Sequence, residues 1–166
     1  MDLDIRYIAG LFDGEGWITI GKSALGGYRK YSKDYVRYQL HIGIAMSFRP
    51  LIEQIHRQFY GGLFINRGHK KRLPNARDGY VWYLSSNPAA EFLDFIKPHL
   101  VVKKEEAEIA IIFQEHVRRY CGHLTHKPEL RASLYAEREE FRNKLLALKK
   151  RCFDTPIDSD PIPTAA

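Results

Sequence analysis

The chain of 166 residues lacks several features that mark specialised classes of protein. Its two cysteines, Cys121 and Cys152, are too few for a disulfide framework. No stretch approaches the roughly 18 consecutive apolar residues of a transmembrane helix. Charged residues are scattered through the first twenty positions, so we expect no secretory signal. These absences predict an intracellular protein, in the cytoplasm or an organelle, that is not secreted.

Acidic residues are scarce in one half of the chain. Residues 17–87 hold 12 basic and 3 acidic residues, a net charge of +9, whereas the remainder holds 14 basic and 17 acidic residues, a net charge of −3. Lysines that serve only solubility would not be segregated in this way. The concentration of positive charge therefore favours a partner that is a polyanion, and a nucleic acid first.

The residues that are present suit one globular domain. Apolar residues make up 45% of the chain and aromatic residues 13%, which is enough for a core. Asp4 is a good N-cap for a first helix that begins at Ile5. We predict strands over 17–23, 35–45, 63–67 and 80–85, and helices over about 50–60, 87–97, 103–120 and 128–150.

The predicted fold is α+β, in the order α-β-β-α-β-β-α-α, with a four-stranded antiparallel sheet. Apolar residues take every second position of the second strand from Val36 to Ile44, and the positions between them include Arg37, Gln39 and His41. This period of two predicts one face toward the core and one polar face. We expect a single domain over 1–153, with the C-terminal helix over 128–150 and a disordered tail over 154–166.

The segment Asp13-Gly14-Glu15-Gly16 places two carboxylates where the first helix ends, against the negative pole of its dipole. We expect the glycines to supply the left-handed turn that commonly ends a helix. Two interpretations of the acids stay open. They are oxygen ligands for Mg²⁺, or they form an acidic helix end in solvent, with Asp13 bonding nearby amides.

The ten residues from Tyr7 to Gly16, YIAGLFDGEG, resemble the signature motif of the LAGLIDADG homing endonucleases. The similarity extends to the order of elements over residues 4 to about 120. The resemblance implies a site-specific endonuclease that cuts both strands of a long, nearly palindromic DNA with short 3′ overhangs. Since only one motif is present, it implies a homodimer whose motif helices meet. The interface residues that it implies are Ala9, Gly10, Asp13 and Gly14.

The resemblance also implies roles at the site. Glu15 matches the acid that binds the metal, and the carbonyl of Gly14 assists it. Asp13 matches the other acid of the catalytic group, whose part is more structural. Lys103 matches a lysine that stabilises the transition state, with Lys104 as its substitute. The implied cofactor is Mg²⁺, with Mn²⁺ as a substitute and with Ca²⁺ supporting binding without cleavage.

The predicted sheet is the natural DNA-binding surface, because a ribbon of strands fits the major groove. We expect Arg37 to read guanine and Gln39 to read adenine, and the loop cations to contact phosphates. The full set of candidates is Thr19, Ser23, Arg29, Lys30, Tyr35, Arg37, Gln39, His41, Asn66, Arg67, Lys70, Lys71, Arg72 and Arg77. The aromatic residues Trp17, Phe64, Trp82 and Tyr83 could stack on bases, although strand spacing favours the core for them.

Two other readings of the sequence stay open. The same scaffold could serve a non-catalytic binder, either an intron-RNA maturase or a DNA-binding regulator, but the retained acids favour the endonuclease. Cys121, His123 and His126 have the residue types of a zinc site, but their spacing is unusual.

One departure from the family concerns the end of the second strand. The family often has a water-ordering Gln there, whereas this chain has Ala45-Met46-Ser47-Phe48, which leaves Ser47 as the candidate replacement.

Overall fold

The computed structural model describes residues 2–24, 35–66, 77–120 and 128–154. The helices of this part are α1 (Ile5–Glu15), α2 (Arg49–Phe59), α3 (Asn87–Ile96), α4 (Lys104–Arg119) and α5 (Pro128–Asp154), with a 3₁₀ turn over Lys97–His99. The strands are β1 (Gly16–Ala24), β2 (Val36–Met46), β3 (Gly62–Asn66) and β4 (Gly79–Ser85). The predicted α+β class and four-stranded antiparallel sheet are confirmed. Three helices follow β4, in agreement with the predicted helix ranges 87–97, 103–120 and 128–150, although the predicted order of elements counts only two.

The strands lie in the order β1-β2-β4-β3, so that the long strand β2 is central and β1 and β3 form the edges. β1 and β2 form a hairpin in register from Gly16 opposite Ile44 to Ala24 opposite Val36. Tyr38, Leu40, Ile42 and Ile44 of β2 are buried, while most residues of the opposite face are exposed or half-buried. The two-faced sheet that the alternation predicts is therefore present.

The helices and the buried face of the sheet share one core. Its centre is aromatic: the ring of Phe92 lies 4.9 Å from that of Trp82 and 5.0 Å from that of Phe59. Trp82 is fully buried, and truncating such a side chain typically costs about 3–5 kcal/mol. Within the described residues, no helix is both long enough and apolar enough to cross a membrane.

The long helix α5 fastens the free edge of the sheet. Glu139 accepts hydrogen bonds from Lys22 of β1 at 2.7 Å and from the Tyr38 hydroxyl of β2 at 2.6 Å. These two donors hold the pKa of Glu139 at about 2. Further along the helix, the Lys149 ammonium donates to the carbonyl of Ile18 on β1. Because β1 has no strand on its outer side, α5 covers an edge whose backbone groups would otherwise be open.

Candidate active site

Helix α1 begins as predicted and ends differently. The side chain of Asp4 caps it by accepting from the Arg6 amide at 2.7 Å. At the other end the helix continues through Gly14 to Glu15, and Gly16 is extended, with φ −79° and ψ 158°. The prediction of a left-handed turn there is wrong. Gly16 is required for a different reason, since a Cβ would lie 2.5 Å from the carbonyl oxygen of Phe12.

The carboxylate of Asp13 joins the end of α1 to the start of α4. Its Oδ2 accepts from the amides of Val101 at 2.7 Å and Val102 at 3.2 Å, and its Oδ1 accepts from the amide of Lys103 at 2.9 Å. Three amides that precede a helix form a natural seat for an anion. For Asp13, the interpretation in which it bonds nearby amides therefore holds.

Lys103 is tied to the same residue twice. Besides the amide contact, its ammonium donates to the backbone carbonyl of Asp13. The last carbonyls of a helix have no partner within the helix, so a lysine is well placed to satisfy one of them. This bond brings a half-buried cation to the end of α1, two residues before Glu15. Lys104, its possible substitute, is exposed at the first position of α4.

Glu15 is the last residue of α1 and lies in solvent. Within the described residues its carboxylate makes no hydrogen bond and no ion pair. The neighbouring Gly14 is also exposed, and a Cβ added there would meet nothing within 4 Å. The end of α1 therefore presents a free carboxylate beside exposed backbone, which is a donor set of hard oxygen atoms.

Glu106 and Lys149 lie near this site and are not among the residues that the sequence predicts for it. Glu106 is half-buried on α4, and its Oε2 is buried without a hydrogen-bond partner among the described residues. Burial raises the pKa of Glu106, and the nearby ammonium groups of Lys149 and Lys103 partly oppose this effect. The sequence could have placed Glu106 near the site, because it lies one helical turn after Lys103. It could not have placed Lys149 there, since the contact of Lys149 with Ile18 of β1 joins residues 131 positions apart.

The outer face of α1 is open. Tyr7 is 49% exposed, and Gly10 and Gly14 follow it at helical spacing. No atom lies within 4 Å of a Cβ built on either glycine. Ala9, predicted for the same interface, is fully buried in the core of this chain. Its prediction is corrected: Ala9 lies on the inner face of the helix, one position before Gly10.

The open face of the sheet brings together most of the predicted β1 and β2 residues. In the register of the hairpin, Ser23 lies opposite Arg37, and Thr19 lies opposite His41. Gln39 lies between Arg37 and His41 on β2, and its amide donates to the Ser86 hydroxyl at 3.1 Å. Burial lowers the pKa of His41, and the positive charge of Arg37 lowers it further.

The other predicted DNA-binding residues divide into three groups. Asn66 is exposed at the end of β3, and Arg77 is exposed just before β4. Tyr35 differs, because the guanidinium of Arg131 lies 4.5 Å from its ring centre, so it contacts α5. Six predicted residues lie outside the described residues: Arg29, Lys30, Arg67, Lys70, Lys71 and Arg72. Cys121, His123 and His126, the candidates for a zinc site, lie outside the described residues as well.

The aromatic candidates also divide. Trp82 is a core residue, as its strand spacing favours. Trp17, Phe64 and Tyr83 instead lie on the open face, since they pair across the sheet with other residues of that face. Phe64 is 48% exposed and Tyr83 is 37% exposed, whereas Trp17 is half-buried.

Comparison with known proteins gives structural neighbours only. No model of a known protein family matches the chain, and no curated protein is similar to it in sequence. Among solved structures, the homing endonuclease I-CvuI, in complex with a DNA target in the presence of Mg, is similar with a TM-score of 0.64 and 12% identity, over 87% of this chain and 80% of that one. The homing endonuclease I-TnaI is similar with a TM-score of 0.62 and 16% sequence identity, over 91% of this chain and 99% of that one.

A third structure, the LAGLIDADG homing endonuclease I-GzeII in complex with a DNA target, gives a TM-score of 0.59 and 18% sequence identity. This chain is covered over 85% of its length, but that chain over only 44%. At such low identities the likeness concerns the backbone. The chain therefore has the fold of the LAGLIDADG homing endonucleases, as its motif predicts.

Proposed function

We propose that this protein is a site-specific DNA endonuclease that cuts both strands of a long, nearly palindromic duplex as a homodimer. The observation that carries the proposal is the free carboxylate of Glu15. It stands at the end of α1, and Gly16 directly after it begins β1. The acid is thereby joined to the open face that carries Arg37 and His41.

The donor set at the end of α1 fits a divalent cation. The Glu15 carboxylate and the Gly14 carbonyl are hard oxygen ligands, which Mg²⁺ prefers, and Mn²⁺ should substitute for it. The described residues contain no group of three His, Cys, Asp or Glu side chains that could hold a metal. The remaining ligands would then be water, DNA phosphate and the second copy. A metal at this position would supply an activated water and neutralise the leaving oxygen.

Lys103 supplies the positive charge that the protein itself brings to the reaction. Its ammonium lies at the end of α1 because the Asp13 carbonyl accepts from it, and its backbone is fixed there by the Asp13 carboxylate. A cation held in advance stabilises the charge that develops on the phosphoryl oxygens. In this scheme Asp13 is a positioning residue, and Glu15 and Lys103 are the catalytic residues.

The outer face of α1 supports the homodimer. Gly10 and Gly14 leave room for a second helix to approach closely, and the exposed side chains of Tyr7, Val101 and Val102 (49%, 85% and 67% exposed) offer apolar surface beside them. The chain is also matched over nearly the whole of I-TnaI but under half of I-GzeII. Two copies packed through α1 would place two Glu15 carboxylates side by side, one for each DNA strand.

Double-stranded DNA is the substrate that the sheet favours. Four antiparallel strands present an open face with Arg37 and His41, and a strand ribbon fits the major groove. The net charge of +9 over residues 17–87 complements a phosphate backbone. We expect specific binding to weaken steeply as salt is raised.

The test is selection from a random duplex DNA library in Ca²⁺, which should permit binding without cutting. The enriched pool is then shifted to Mg²⁺ and its ends are sequenced. A long pseudo-palindrome, cut near its centre by the wild type and not by Glu15→Gln, is the expected result. A specific duplex that stays uncut would overturn the endonuclease in favour of a DNA-binding regulator. No enrichment of any duplex would overturn the endonuclease and would direct the search to RNA, the partner of a maturase.

A further inference from the structure

The open face of the sheet changes character along the strands. Across the sheet, Thr19, His41 and Ser85 form one polar row by register. The next row, closer to the end of α1, contains Trp17 and Tyr83 with Gly43 between them. The row after that contains Ala45, Val81 and Phe64. The rows nearest Glu15 are therefore apolar, and the rows toward the β1–β2 loop are polar.

Two glycines seat aromatic rings on this face. A Cβ at Gly43 would lie 2.7 Å from an indole carbon of Trp17, so the indole lies over that glycine. A Cβ at Gly62 would overlap the ring of Tyr83, so this ring lies over Gly62. Each of these two rings therefore occupies the space above a position that has no side chain.

Phe64 and Tyr83 form a pair on these rows. Their ring centres lie 5.7 Å apart with an interplanar angle of 62°, which is an edge-to-face contact. The pair is nevertheless substantially open to solvent, at 48% and 37% exposure. An aromatic pair in water at the edge of a polar, cationic surface suggests a partner with apolar groups embedded in an anionic surface.

The charge of the face selects among such partners. Arg37 lies on it, and none of its described residues is an Asp or a Glu. A duplex DNA major groove combines phosphates with one apolar group on base edges, the C5-methyl of thymine. Phenylalanine is among the side chains that contact that methyl. Duplex DNA therefore matches both parts of the open face, the polar rows that include Arg37 and the aromatic rows.

We propose that Phe64 and Tyr83 read the C5-methyl groups of thymines in the bound duplex, close to the position of cleavage. This inference rests on the proposed function, because it names what the endonuclease recognises in its DNA. The polar rows around Arg37 and Gln39 read hydrogen-bonding groups further from the cut. The target is therefore predicted to contain thymine at fixed positions near its centre, where the aromatic rows lie.

The test compares thymine with deoxyuridine, which differs from it only by the missing methyl group. Each thymine of the enriched duplex is replaced in turn, and affinity is measured in Ca²⁺ with wild-type protein, Phe64→Ala and the matched control Phe64→Leu. With wild type, loss of the contacted methyl should weaken binding about fourfold, the value of one buried methyl group. With Phe64→Ala the same replacement should have no further effect, and Phe64→Leu should retain most of it.

The outcomes separate the inference from the function beneath it. Phe64 is exposed on an edge strand, so the alanine variant should fold, and its thermal unfolding is recorded as a check. If the duplex is bound and cut but wild type and Phe64→Ala respond alike at every thymine, the inference is overturned and the endonuclease stands. If no duplex is enriched, both are overturned.

Discussion

Asp13 and Glu15 lie two residues apart on α1, yet they belong to two different regions of the molecule. The carboxylate of Asp13 faces the α1–α4 junction, where three backbone amides donate to it. The carboxylate of Glu15 faces solvent at the boundary with β1 and has no partner among the described residues. The carboxylate and carbonyl oxygens of Asp13 all accept hydrogen bonds that hold α1 to the start of α4. The carboxylate of Glu15 makes no such bond among the described residues and remains available to bind a ligand.

This difference indicates a division of work between two acids of one motif. Satisfied hydrogen bonds to a buried or half-buried carboxylate are strong, because the charge assists them. An exposed carboxylate contributes little to folding, so its presence at a helix C-terminus, where it opposes the dipole, is better explained by chemistry. Substitutions at the two positions should therefore separate stability from activity.

The largest effect is expected from Glu15→Gln. Under the proposed mechanism, loss of this charge should reduce cleavage in Mg²⁺ about a thousandfold, since both metal positions of the proposed dimer would be affected. Because Glu15 is exposed, the free energy of unfolding of the variant should differ from that of wild type by less than about 0.5 kcal/mol. The cleavage rate is measured in single turnovers at saturating DNA, and the stability is measured by urea unfolding. Glu108→Gln, an exposed charge change on α4, is the matched control and should cut normally.

Next comes Lys103→Met, which keeps the length of the side chain and removes its charge. We expect cleavage to fall about a hundredfold, as for loss of one preorganised electrostatic contact. Binding in Ca²⁺ should remain within a few-fold, because a single cation among many contributes little to affinity for DNA. Lys104→Met serves as the comparison. A larger loss with Lys104→Met than with Lys103→Met would transfer the role to Lys104.

Asp13→Ala tests the other side of the contrast. Three amides at the start of α4 would lose their common acceptor, which should lower the free energy of unfolding by about 2 kcal/mol. Cleavage at a temperature where the variant is folded should fall less than in Glu15→Gln. Denaturant unfolding and cleavage are measured on the same preparation. An unchanged stability together with abolished cleavage would place Asp13 with the catalytic residues.

The smallest effect concerns Glu106, whose half-buried carboxyl has one oxygen without a partner. Burial raises its pKa in the folded state, so the folded protein favours the protonated form. Ionising Glu106 in the folded protein therefore lowers the free energy of unfolding. This loss is absent at low pH, where the carboxyl is protonated, and it develops as the pH rises through the raised pKa. Glu106→Gln removes the charge, so the variant should be more stable than wild type at neutral pH. The gain in its free energy of unfolding should be smaller than the loss expected for Asp13→Ala. The two unfolding curves should converge below pH 4.5, the ordinary value of the group.

Stability measurements against pH decide this point. Wild type should lose stability on going from mildly acidic to neutral pH by an amount that Glu106→Gln does not show. A glutamine variant that is less stable than wild type at neutral pH would mean that attraction to Lys103 and Lys149 outweighs the burial of Glu106.

Local patterns in the sequence were sufficient for most of the helices and strands. The alternation along β2 gave its buried face, and Asp4 gave the start of α1, since both depend on neighbouring residues. The family resemblance already implied a more structural part for Asp13 than for Glu15, but the amides that Asp13 accepts from could not be predicted, because they lie 88 to 90 residues further along the chain. Helical spacing likewise allowed Ala9 on either face of α1, and only packing against the core assigned it to the inner one.

The most direct test of the division between the two acids compares Asp13→Ala and Glu15→Gln on one enriched duplex, with cleavage rate in Mg²⁺ and free energy of unfolding measured for each. We expect Glu15→Gln to be as stable as wild type and almost inactive, and Asp13→Ala to be less stable by about 2 kcal/mol and still active while folded. The reverse assignment, an active Glu15→Gln at saturating DNA, would contradict the account.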